Sequence, residues 1–364
     1  MKVCAIIAEF NPFHNGHHFL IEEARKQTQA DAVAIIMSGN YVQRGEPAIT
    51  NKWIRTQLAL QNGADLVVEI PTEFAISSAN YFSYAGIQIA KWIKADYLAF
   101  GSETPQLDFK KQSSILKKKF KEKNYRQNIA SQLFNDSVIN QSNDILALNY
   151  AYWANEIYEE LKLVPIQRKN SNHLDNDLKG TISSASSIRK NILARDVQFK
   201  QAIPKLTYEL LKDDKMVQWS DFWLMLKYQI IVSDVNDLNQ INGISEGLEY
   251  RIKKLILDCD NFDDFILKVK NKRFTYTRIQ RILLSILLNI KFQSTKLKGS
   301  RILGMNDFGK KIIKNADKHL KTKIDKSDFN GFYNITNRSD QIYQQIAPYQ
   351  YGKQPIINNL NLLH

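Results

Sequence analysis

The sequence has 364 residues, which is enough for two domains of ordinary size. Hydrophobic residues make up 44% of it and charged residues 24%, proportions that indicate a globular protein with a sizeable core rather than a disordered chain. The formal net charge of +13 favours a polyanionic partner, with a general contribution to solubility as the alternative.

Cysteine content and apolar runs bear on the compartment. Cys4 lies in an apolar run and Cys259 beside two aspartates, so neither indicates a disulfide framework. No Cys or His cluster has the spacing of metal ligands, and no structural metal is predicted. The first apolar run is too short for a signal peptide, and the longest, at 282–290, is well below the roughly 18 residues of a membrane span. We therefore expect a cytoplasmic protein with no membrane partner and no obligatory protein partner.

The first half of the chain has the pattern of a parallel α/β fold. Four short apolar runs recur at an interval of roughly thirty residues, the length of one βαβ unit, at 3–8, 32–37, 66–70 and 97–100. Segments of helical spacing separate them, at 17–29, 52–62 and 81–94. Each run is continuous rather than alternating, as in strands that are buried on both faces of a sheet. With a fifth strand at 163–166, the pattern predicts a Rossmann-like, doubly wound parallel sheet.

The residues that follow these strands predict one shared pocket. In doubly wound sheets, ligands bind in the crevice beyond the carboxyl ends of the strands. Polar, small or basic residues follow each predicted strand here, at 11–17, 38–39, 71–72, 101–103 and Arg168.

The most informative motif is His14-Asn15-Gly16-His17, where the first strand leads into the first helix. Backbone N–H groups and the helix dipole at such a junction favour phosphate, and glycine lets the backbone approach a nucleotide. Imidazole N–H donors there would stabilise the charge that adenylyl transfer spreads over the α-phosphate and the departing pyrophosphate. We therefore predict His14 and His17 as catalytic residues. The alternative is two histidines that only cap a helix.

A second helix start, near residue 184, is a further candidate for phosphate binding. Hydroxyl residues at 181–187 lead into a helix whose first turns carry Arg189 and Lys190. Amides, hydroxyls and basic side chains in this arrangement grip phosphate, although an ordinary serine cap with exposed basic residues is the alternative. We predict that Ser187, Arg189 and Lys190 bind ATP, with Arg189 and Lys190 on the pyrophosphate.

The loop after the second strand is the predicted pocket for a small carboxylate. Ser38, Gly39 and Arg44 belong to a run of glycines and mixed polar groups, which is also the composition of a simple turn. Lys52 and Arg55 start the next helix, where the helix dipole disfavours cations, and this indicates that an anion lies nearby.

The second half of the chain has longer helical periods, at 221–232, 247–257 and 279–290. The stretch 266–301 contains ten Lys or Arg and no Asp or Glu, with Phe274 and Tyr276 between the charges. This composition predicts a surface for a nucleic-acid backbone, against the alternative of a solvated helix face. The predicted contacts are Lys272, Arg273, Arg278 and Arg281.

These patterns divide the chain into three predicted parts. Residues 1–190 form the catalytic domain, residues 191–300 a mainly helical and basic region, and residues 301–364 a small C-terminal cap.

Several short segments together resemble the bacterial tRNA(Met) cytidine acetate ligases. They begin with Glu9-Phe10-Asn11-Pro12-Phe13-His14-Asn15-Gly16-His17 and continue at 37–39, 44–48, 63–69, 100–103, 184–189, 245–249 and 275–281. The likeness covers nearly the whole chain, and the combination is specific although each segment is short.

The resemblance implies a HIGH-type nucleotidyltransferase domain joined to a helical tRNA-binding region. It implies that ATP activates acetate and that the acetyl group then passes to N4 of the wobble cytidine of elongator tRNA(Met). The products are N4-acetylcytidine, AMP and diphosphate, and Mg²⁺ accompanies ATP in such chemistry. Asn143 stands in Ser-Asn-Asp, where the family more often has Pro-Asn-Asn. The residues that the resemblance implies for ATP binding are Ile7, Ala8, Glu9, Phe10, Asn11, Pro12, Phe13, His14, Asn15, Gly16, His17, His18, Phe19, Leu20, Gly101, Asn143 and Arg168.

Two other functions use parts of the same pattern. A small-molecule adenylyl- or cytidylyltransferase would have the same N-terminal motifs, although the long basic C-terminal half argues against it. A non-catalytic RNA-binding protein would retain the nucleotide fold only as a scaffold.

Overall fold

One sheet lies at the centre of the computed structural model, which describes residues 1–119, 141–168, 183–194, 196–212, 214–291, 296–349 and 355–357. Its strands follow each other in space in the order β10-β8-β5-β2-β1-β6-β7, with β9 paired to β8. The strands of this sheet are β1 (Val3–Ala8), β2 (Ala32–Ser38), β5 (Leu66–Ile70), β6 (Tyr97–Ser102), β7 (Lys162–Gln167), β8 (Ser300–Met305), β9 (Leu320–Lys321) and β10 (Ile356–Ile357). A separate hairpin is formed by β3 (Tyr41–Val42) and β4 (Glu46–Pro47).

The described residues up to position 194 contain seven α-helices: α1 (Asn15–Thr28), α2 (Lys52–Gln61), α3 (Thr72–Ala75), α4 (Ala79–Trp92), α5 (Phe109–Lys119), α6 (Ser142–Ile157) and α7 (Ala185–Leu193). The later helices are α8 (Lys205–Leu211), α9 (Trp223–Val232), α10 (Val235–Asn239), α11 (Leu248–Leu255), α12 (Phe262–Val269), α13 (Tyr276–Leu287), α14 (Asp307–Lys314), α15 (Lys326–Asn330) and α16 (Asn334–Gln344). Within the described ranges, no helix combines the length and the apolar character that crossing a membrane requires.

The sheet confirms the predicted α/β fold. All five predicted strands are present, and β5, β2, β1, β6 and β7 run parallel to one another. Successive residues of β1 enter different cores, because side chains alternate across a strand. Val3 and Ala5 pack with α4 and α6, whereas Cys4 and Ile6 pack with α1 and α2. Burial on both faces explains why these strands are continuous apolar runs in the sequence.

The C-terminal segment is part of this sheet, which corrects the expectation of a small separate cap at 301–364. Strand β8 is buried along its whole length and pairs antiparallel with β5, so the sheet is mixed at this edge. The hydroxyl of Ser300 also donates to the backbone carbonyl of Glu69 in β5. Edge pairing of this kind depends on distant backbone groups, which a local sequence pattern does not reveal.

The helical region forms a second core that is shared with the rest of the chain. Helices α9, α11, α12 and α13 pack their apolar faces together. Tyr41 from the hairpin and Tyr343 from α16 are fully buried in the same cluster. The hydroxyl of Tyr343 donates to the carbonyl of Ala48 at 2.7 Å, which ties α16 to the segment after the hairpin.

Lys52, the first residue of α2, is buried between two carboxylates. Its Nζ lies 2.6 Å from Glu69 Oε1 and 2.6 Å from Asp340 Oδ2, and it donates to the hydroxyl of Tyr333 at 3.0 Å. Burial works against its charge, but Asp340 and Glu69 outweigh burial and raise the pKa of Lys52. This ammonium group therefore joins α2, the end of β5 and α16.

Replacing Lys52 by Met should lower the free energy of unfolding by about 3–5 kcal/mol, because Glu69 and Asp340 are then buried without their counter-ion. Urea denaturation followed by circular dichroism measures this loss. Lys26→Met is the matched control, since the Lys26 side chain is 79% exposed and lies 3.8 Å from Glu23 in a surface pair that contributes little. A loss at Lys52 no larger than that of the control would contradict the proposed dependence.

Candidate functional site

A cleft lies beyond the carboxyl ends of β1, β6 and β7, where parallel sheets of this kind bind ligands. The start of α1, the hairpin, α6 and α7 enclose it. Most of the predicted site residues line it, namely Ile7, Ala8, Glu9, Phe10, Asn11, His14, Gly16, His17, Phe19, Leu20, Arg44, Gly101, Asn143, Arg168 and Arg189. The predicted residues that do not line it are Pro12, Phe13, Asn15, His18, Ser38, Gly39, Ser187 and Lys190.

His14 and His17 cap the start of the first helix, because a ring nitrogen of each accepts a hydrogen bond from a backbone N–H group of this segment. Nδ1 of His14 accepts a hydrogen bond from Gly16 N at 3.1 Å, and Nδ1 of His17 accepts one from His14 N at 3.3 Å. The two rings stack with their centroids 3.6 Å apart and their planes at 23°. Because each Nδ1 is an acceptor, a neutral ring carries its proton on Nε2.

Both imidazoles are held in the neutral form. Burial, together with the positive charges of Arg168 and Arg189, lowers the pKa of His14 to about 3. Burial, His14 and Arg168 likewise put the pKa of His17 well below its ordinary value. At neutral pH the motif therefore presents two uncharged Nε2–H donors that lie close to guanidinium groups. Such a set can stabilise negative charge on oxygen without giving up a proton. The helix-cap alternative and the functional one are thus not exclusive, because Nδ1 caps and Nε2 remains a donor.

Glu103, which was not predicted as a site residue, holds two residues that were. Its Oε1 accepts a hydrogen bond from Asn143 Nδ2 at 2.5 Å and lies 3.4 Å from Nε of Arg168. Asp144 fixes the same turn, since it accepts hydrogen bonds from Ser102 Oγ at 2.6 Å and from the backbone N–H of Glu103 at 3.1 Å. The resemblance at 100–103 was the signal that marked this segment, but only the fold shows what its carboxylate contacts.

Gly101 leaves the space that Arg168 occupies. A Cβ at this position would lie 3.2 Å from Cγ of Arg168, so a larger residue would push the arginine away from its place in the cleft.

Arg189 connects α7 to the first strand. Its Nη1 donates to the carbonyl of Asn11 at 2.8 Å, and its Nη2 lies 3.3 Å from Oε2 of Glu46 in the hairpin. Ser187, also predicted for ATP, is buried and donates its backbone N–H to the cap residue Ser184 at 3.1 Å. Lys190 is exposed outside the cleft lining. Residues 181 and 182 of this motif lie outside the described residues.

The cleft is not lined by Phe13, Asn15 or His18, which contact other parts of the protein instead. Phe13 is fully buried with its ring centroid 4.8 Å from that of Phe10 and 5.7 Å from that of His17. Asn15 donates from Nδ2 to the carbonyl of Gln201 at 2.9 Å. His18 lies on the outer side of α1 and forms a 3.2 Å pair with Glu22.

The predicted carboxylate pocket is corrected for Ser38 and Gly39. Both are buried away from the cleft, and a Cβ at Gly39 would lie 2.6 Å from Oε1 of Glu69. This loop is packed against the polar cluster around Lys52, which leaves no space there for a ligand. Arg44 is exposed and lines the cleft.

Lys52 and Arg55 were expected to have an anion nearby, and their neighbours are anionic or polar groups of the protein itself. Glu69 and Asp340 neutralise Lys52. Burial lowers the pKa of Arg55 to about 10, so its guanidinium stays charged at neutral pH. It donates to four backbone carbonyls, those of Glu9, Ser38, Gly39 and Thr50.

Val42, Gln43 and Glu46 of the hairpin were also missed, because a short hairpin has no motif of its own. Apolar residues that sequence patterns assign only to a core line the cleft as well: Ala79, Phe82, Phe100, Ile145, Leu146, Tyr150 and Ile166.

The predicted nucleic-acid contacts differ in exposure. Lys272 and Arg273 are exposed, and Arg273 lies 3.3 Å from Glu246. Arg278 is half-buried, with its guanidinium 4.5 Å from the ring centroid of Phe274. Phe274 is itself 3% exposed and packs in the helical core, so it does not contribute to a surface for nucleic acid.

Arg281 connects this surface to the cleft. Burial, followed by the charge of Arg278, lowers the pKa of Arg281 to about 10. A Cβ at Gly45 would lie 2.4 Å from the backbone nitrogen of Arg281, and Gly45 has a φ of +79°, so both contact and conformation require glycine. The start of α13 therefore lies directly against the hairpin that borders the cleft.

No group of three or more His, Cys, Asp or Glu side chains within the described ranges is arranged to hold a metal ion.

Comparison with known proteins agrees with this geometry. The chain matches the family described as HIGH Nucleotidyl Transferase over residues 1–355. It is 49% identical to the tRNA(Met) cytidine acetate ligase of Pediococcus pentosaceus, with 98% of each chain covered. It is 36% identical to the tRNA(Met) cytidine acetate ligase of Ligilactobacillus salivarius, with 94% of this chain and 96% of that one covered.

Two solved structures of Thermotoga maritima TmcAL have a similar fold. The apo form has a TM-score of 0.88 at 24% identity and covers 99% of this chain. The form bound with alpha-thio ATP has a TM-score of 0.85 at 25% identity, also over 99% of this chain. Each match covers 100% of the TmcAL chain.

An NMR titration tests the protonation of the motif. The rings of His14 and His17 should remain neutral, with the proton on Nε2, from about pH 8 to about pH 5, because their pKa values are lowered in the folded state. In the urea-unfolded chain the same rings should titrate near the ordinary value of about 6.5. Imidazole ¹⁵N shifts that show a second proton near pH 6 in the folded protein would contradict this assignment.

Proposed function

The chain belongs to the HIGH nucleotidyltransferases and, among them, to the tRNA(Met) cytidine acetate ligases, and we propose that it acetylates N4 of the wobble cytidine of elongator tRNA(Met). It uses ATP and acetate and releases AMP and diphosphate. The observation that carries this proposal is the pair of neutral imidazole donors, His14 and His17, in a cleft that also contains Asn143, Arg168 and Arg189.

The reaction needs acetate to be activated. The N4 amine of cytosine is a weak nucleophile, because its lone pair is delocalised into the ring. Free acetate is a poor acyl donor, because it would have to expel oxide. Attack of an acetate oxygen on the α-phosphorus of ATP expels diphosphate and gives acetyl-adenylate, in which AMP is the leaving group. The amine then attacks the acetyl carbon.

The residues of the cleft have distinct roles in the first step. The Nε2–H groups of His14 and His17 donate to the oxygens of the transferring phosphoryl group, where charge accumulates. Arg189 binds the departing diphosphate, and Lys190, the next residue in the chain, adds a second positive charge. Arg168 and Asn143, both held by Glu103, bind the nucleotide. Of the three residues predicted for the acetate pocket, Ser38 and Gly39 do not line the cleft and Arg44 does. The guanidinium group of Arg44 therefore binds the acetate carboxylate in this proposal.

Mg²⁺ is proposed only as a companion of the ATP phosphates. Of the described carboxylates near the cleft, Glu46 is paired with Arg189 and Glu103 with Arg168, and no three acidic or His side chains of the described residues are grouped to hold a metal ion. The ion would be held mainly by phosphate oxygens and would neutralise part of their charge.

The tRNA contacts the helical region at 191–300. Lys272 and Arg273 are exposed, and the packing of α13 against Gly45 sets this basic surface beside the cleft. A tRNA bound there can extend its target base into the cleft after the base leaves its stack. Its substrate places this reaction in the cytoplasm.

His17→Asn separates catalysis from helix capping, because an Asn side chain can still accept from His14 N but has no distal N–H donor. Acetate-dependent ATP–pyrophosphate exchange should fall by about 10²–10³-fold in His17→Asn and in His17→Ala. Thermal unfolding should show a loss of stability mainly in the Ala variant, and tRNA binding should persist in both. His319→Ala, on a ring that stacks on Trp92 away from the cleft, is the control. Wild-type exchange in His17→Asn would remove this imidazole from the mechanism.

Replacing Lys272 and Arg273 together by Ala should weaken tRNA binding and reduce the slope of log K against log salt by about one per lost phosphate contact. Filter binding at several salt concentrations measures both quantities. The matched control replaces Lys314 and Lys318, which are exposed in and after α14, a helix that packs on the sheet. An equal effect in the control pair would mean that binding follows overall charge and not this surface.

A further inference from the structure

Glu9 follows β1 and presents its carboxyl group to the cleft. Oε1 of Glu9 accepts a hydrogen bond from the backbone N–H of Gln43 at 2.7 Å. Arg44, Glu46 and Arg189 act on the charge of this carboxyl group and line the same cleft, and the buried Arg55 interacts with it from the side of α2. The hydrogen bond from Gln43 holds the carboxyl group against the hairpin.

Glu9 differs from the other carboxylates around the cleft. Glu46 is paired with Arg189 at 3.3 Å, and Glu103 is paired with Arg168 at 3.4 Å. Among the residues that the structure describes, no ion pair joins Glu9, whose hydrogen-bond donor is a backbone amide. Its remaining acceptor capacity is therefore available to a ligand.

The triphosphate and acetate are anions that a carboxylate repels, so the partner of Glu9 must be a hydrogen-bond donor. ATP offers its adenine amine and ribose hydroxyls, and the tRNA offers the amine of the target cytosine. The cytosine amine is the reacting group of the proposed reaction that donates hydrogen bonds, and Glu or Asp oxygens are the acceptors that match it. The amine must also lose a proton when it becomes an amide. We propose that Glu9 is a catalytic residue that accepts a hydrogen bond from N4 of the target cytidine and takes its proton. This inference rests on the proposed function.

The step balances as follows. The N4 nitrogen attacks the carbonyl carbon of acetyl-adenylate and forms the new C–N bond. The bond between that carbon and the phosphate oxygen breaks, and its electron pair leaves with AMP. One N4 proton passes to the Glu9 carboxylate and from there to water.

The surroundings of Glu9 suit this role. Burial raises the pKa of its carboxyl group, which makes the carboxylate a stronger base, although Arg44 acts in the opposite sense. Tyr150 lies near enough that the charge of Glu9 adds to burial in raising the pKa of its hydroxyl. Tyr150 and Phe82 both line the cleft, and their rings offer a flat apolar wall to an extruded base.

The test separates the two half-reactions in the full-length protein. Glu9→Gln should lower single-turnover acetyl transfer from preformed, enzyme-bound acetyl-adenylate to transcribed elongator tRNA(Met) by about 10²–10⁴-fold. Because Glu9 also lies in the segment that the resemblance assigns to ATP, acetate-dependent ATP–pyrophosphate exchange should fall as well, but by far less than transfer. In the wild type, transfer should fall as the pH drops through the raised pKa of Glu9, since the base becomes protonated. This acid limb should be missing from the residual rate of Glu9→Gln.

Glu73→Gln is the matched control, because burial raises the pKa of Glu73 to about 7 but this residue does not line the cleft. Both half-reactions should be unchanged in it. Wild-type transfer in Glu9→Gln, or equal losses of transfer and exchange at an unchanged melting temperature, would overturn the inference. If Glu9→Gln fails to fold, the wild-type pH profile decides, and a profile without the acid limb overturns it. Absence of acetate-dependent exchange in the wild type would instead overturn the proposed function, and this inference with it.

Discussion

Two buried cations in the first turn of α2 hold the catalytic end of the sheet together. Lys52 lies between Glu69 and Asp340, which joins the sheet to the C-terminal helix α16. Arg55 donates hydrogen bonds to backbone carbonyls at the ends of β1 and β2, those of Glu9 and Ser38. A charge in a buried site is stable only when partners surround it, so these contacts admit few alternative arrangements. The hydrogen bond from Arg55 therefore fixes the position of Glu9, where the loop to the histidine motif begins.

The cleft brings guanidinium groups and neutral imidazoles together, and nearby carboxylates pair with the guanidinium groups. Burial first, and the positive charge of its guanidinium groups second, lower the pKa values of His14 and His17, which keeps both rings as neutral donors. Glu46 and Glu103 each hold an arginine in place, so the cations stay ordered before an anion arrives. Preorganised donors of this kind need little rearrangement when charge develops on a transferring phosphoryl group. In the proposed reaction, Glu9 adds a base beside these donors.

Local patterns were sufficient for the elements that carry their own signal. The five parallel strands are continuous apolar runs because both faces are buried, and the histidine motif is recognisable because it begins a helix directly after such a strand. The same patterns did not show whether a basic side chain is paired with a bound ligand or with an acidic side chain of the protein. Lys52 was predicted to mark a nearby anion, and the anions are Glu69 and Asp340, the second of which lies 288 residues away in the chain.

The sequence by itself determined the fold class, the histidine motif at the start of α1 and the family, since each depends on short segments with a fixed internal spacing. Only the tertiary structure decided that β8 joins the sheet, that Phe274 packs in a core, and that Glu103 holds Arg168. These features depend on contacts between segments that are far apart in the chain. Chain folding, and not local composition, brings such groups to within a few ångströms of each other.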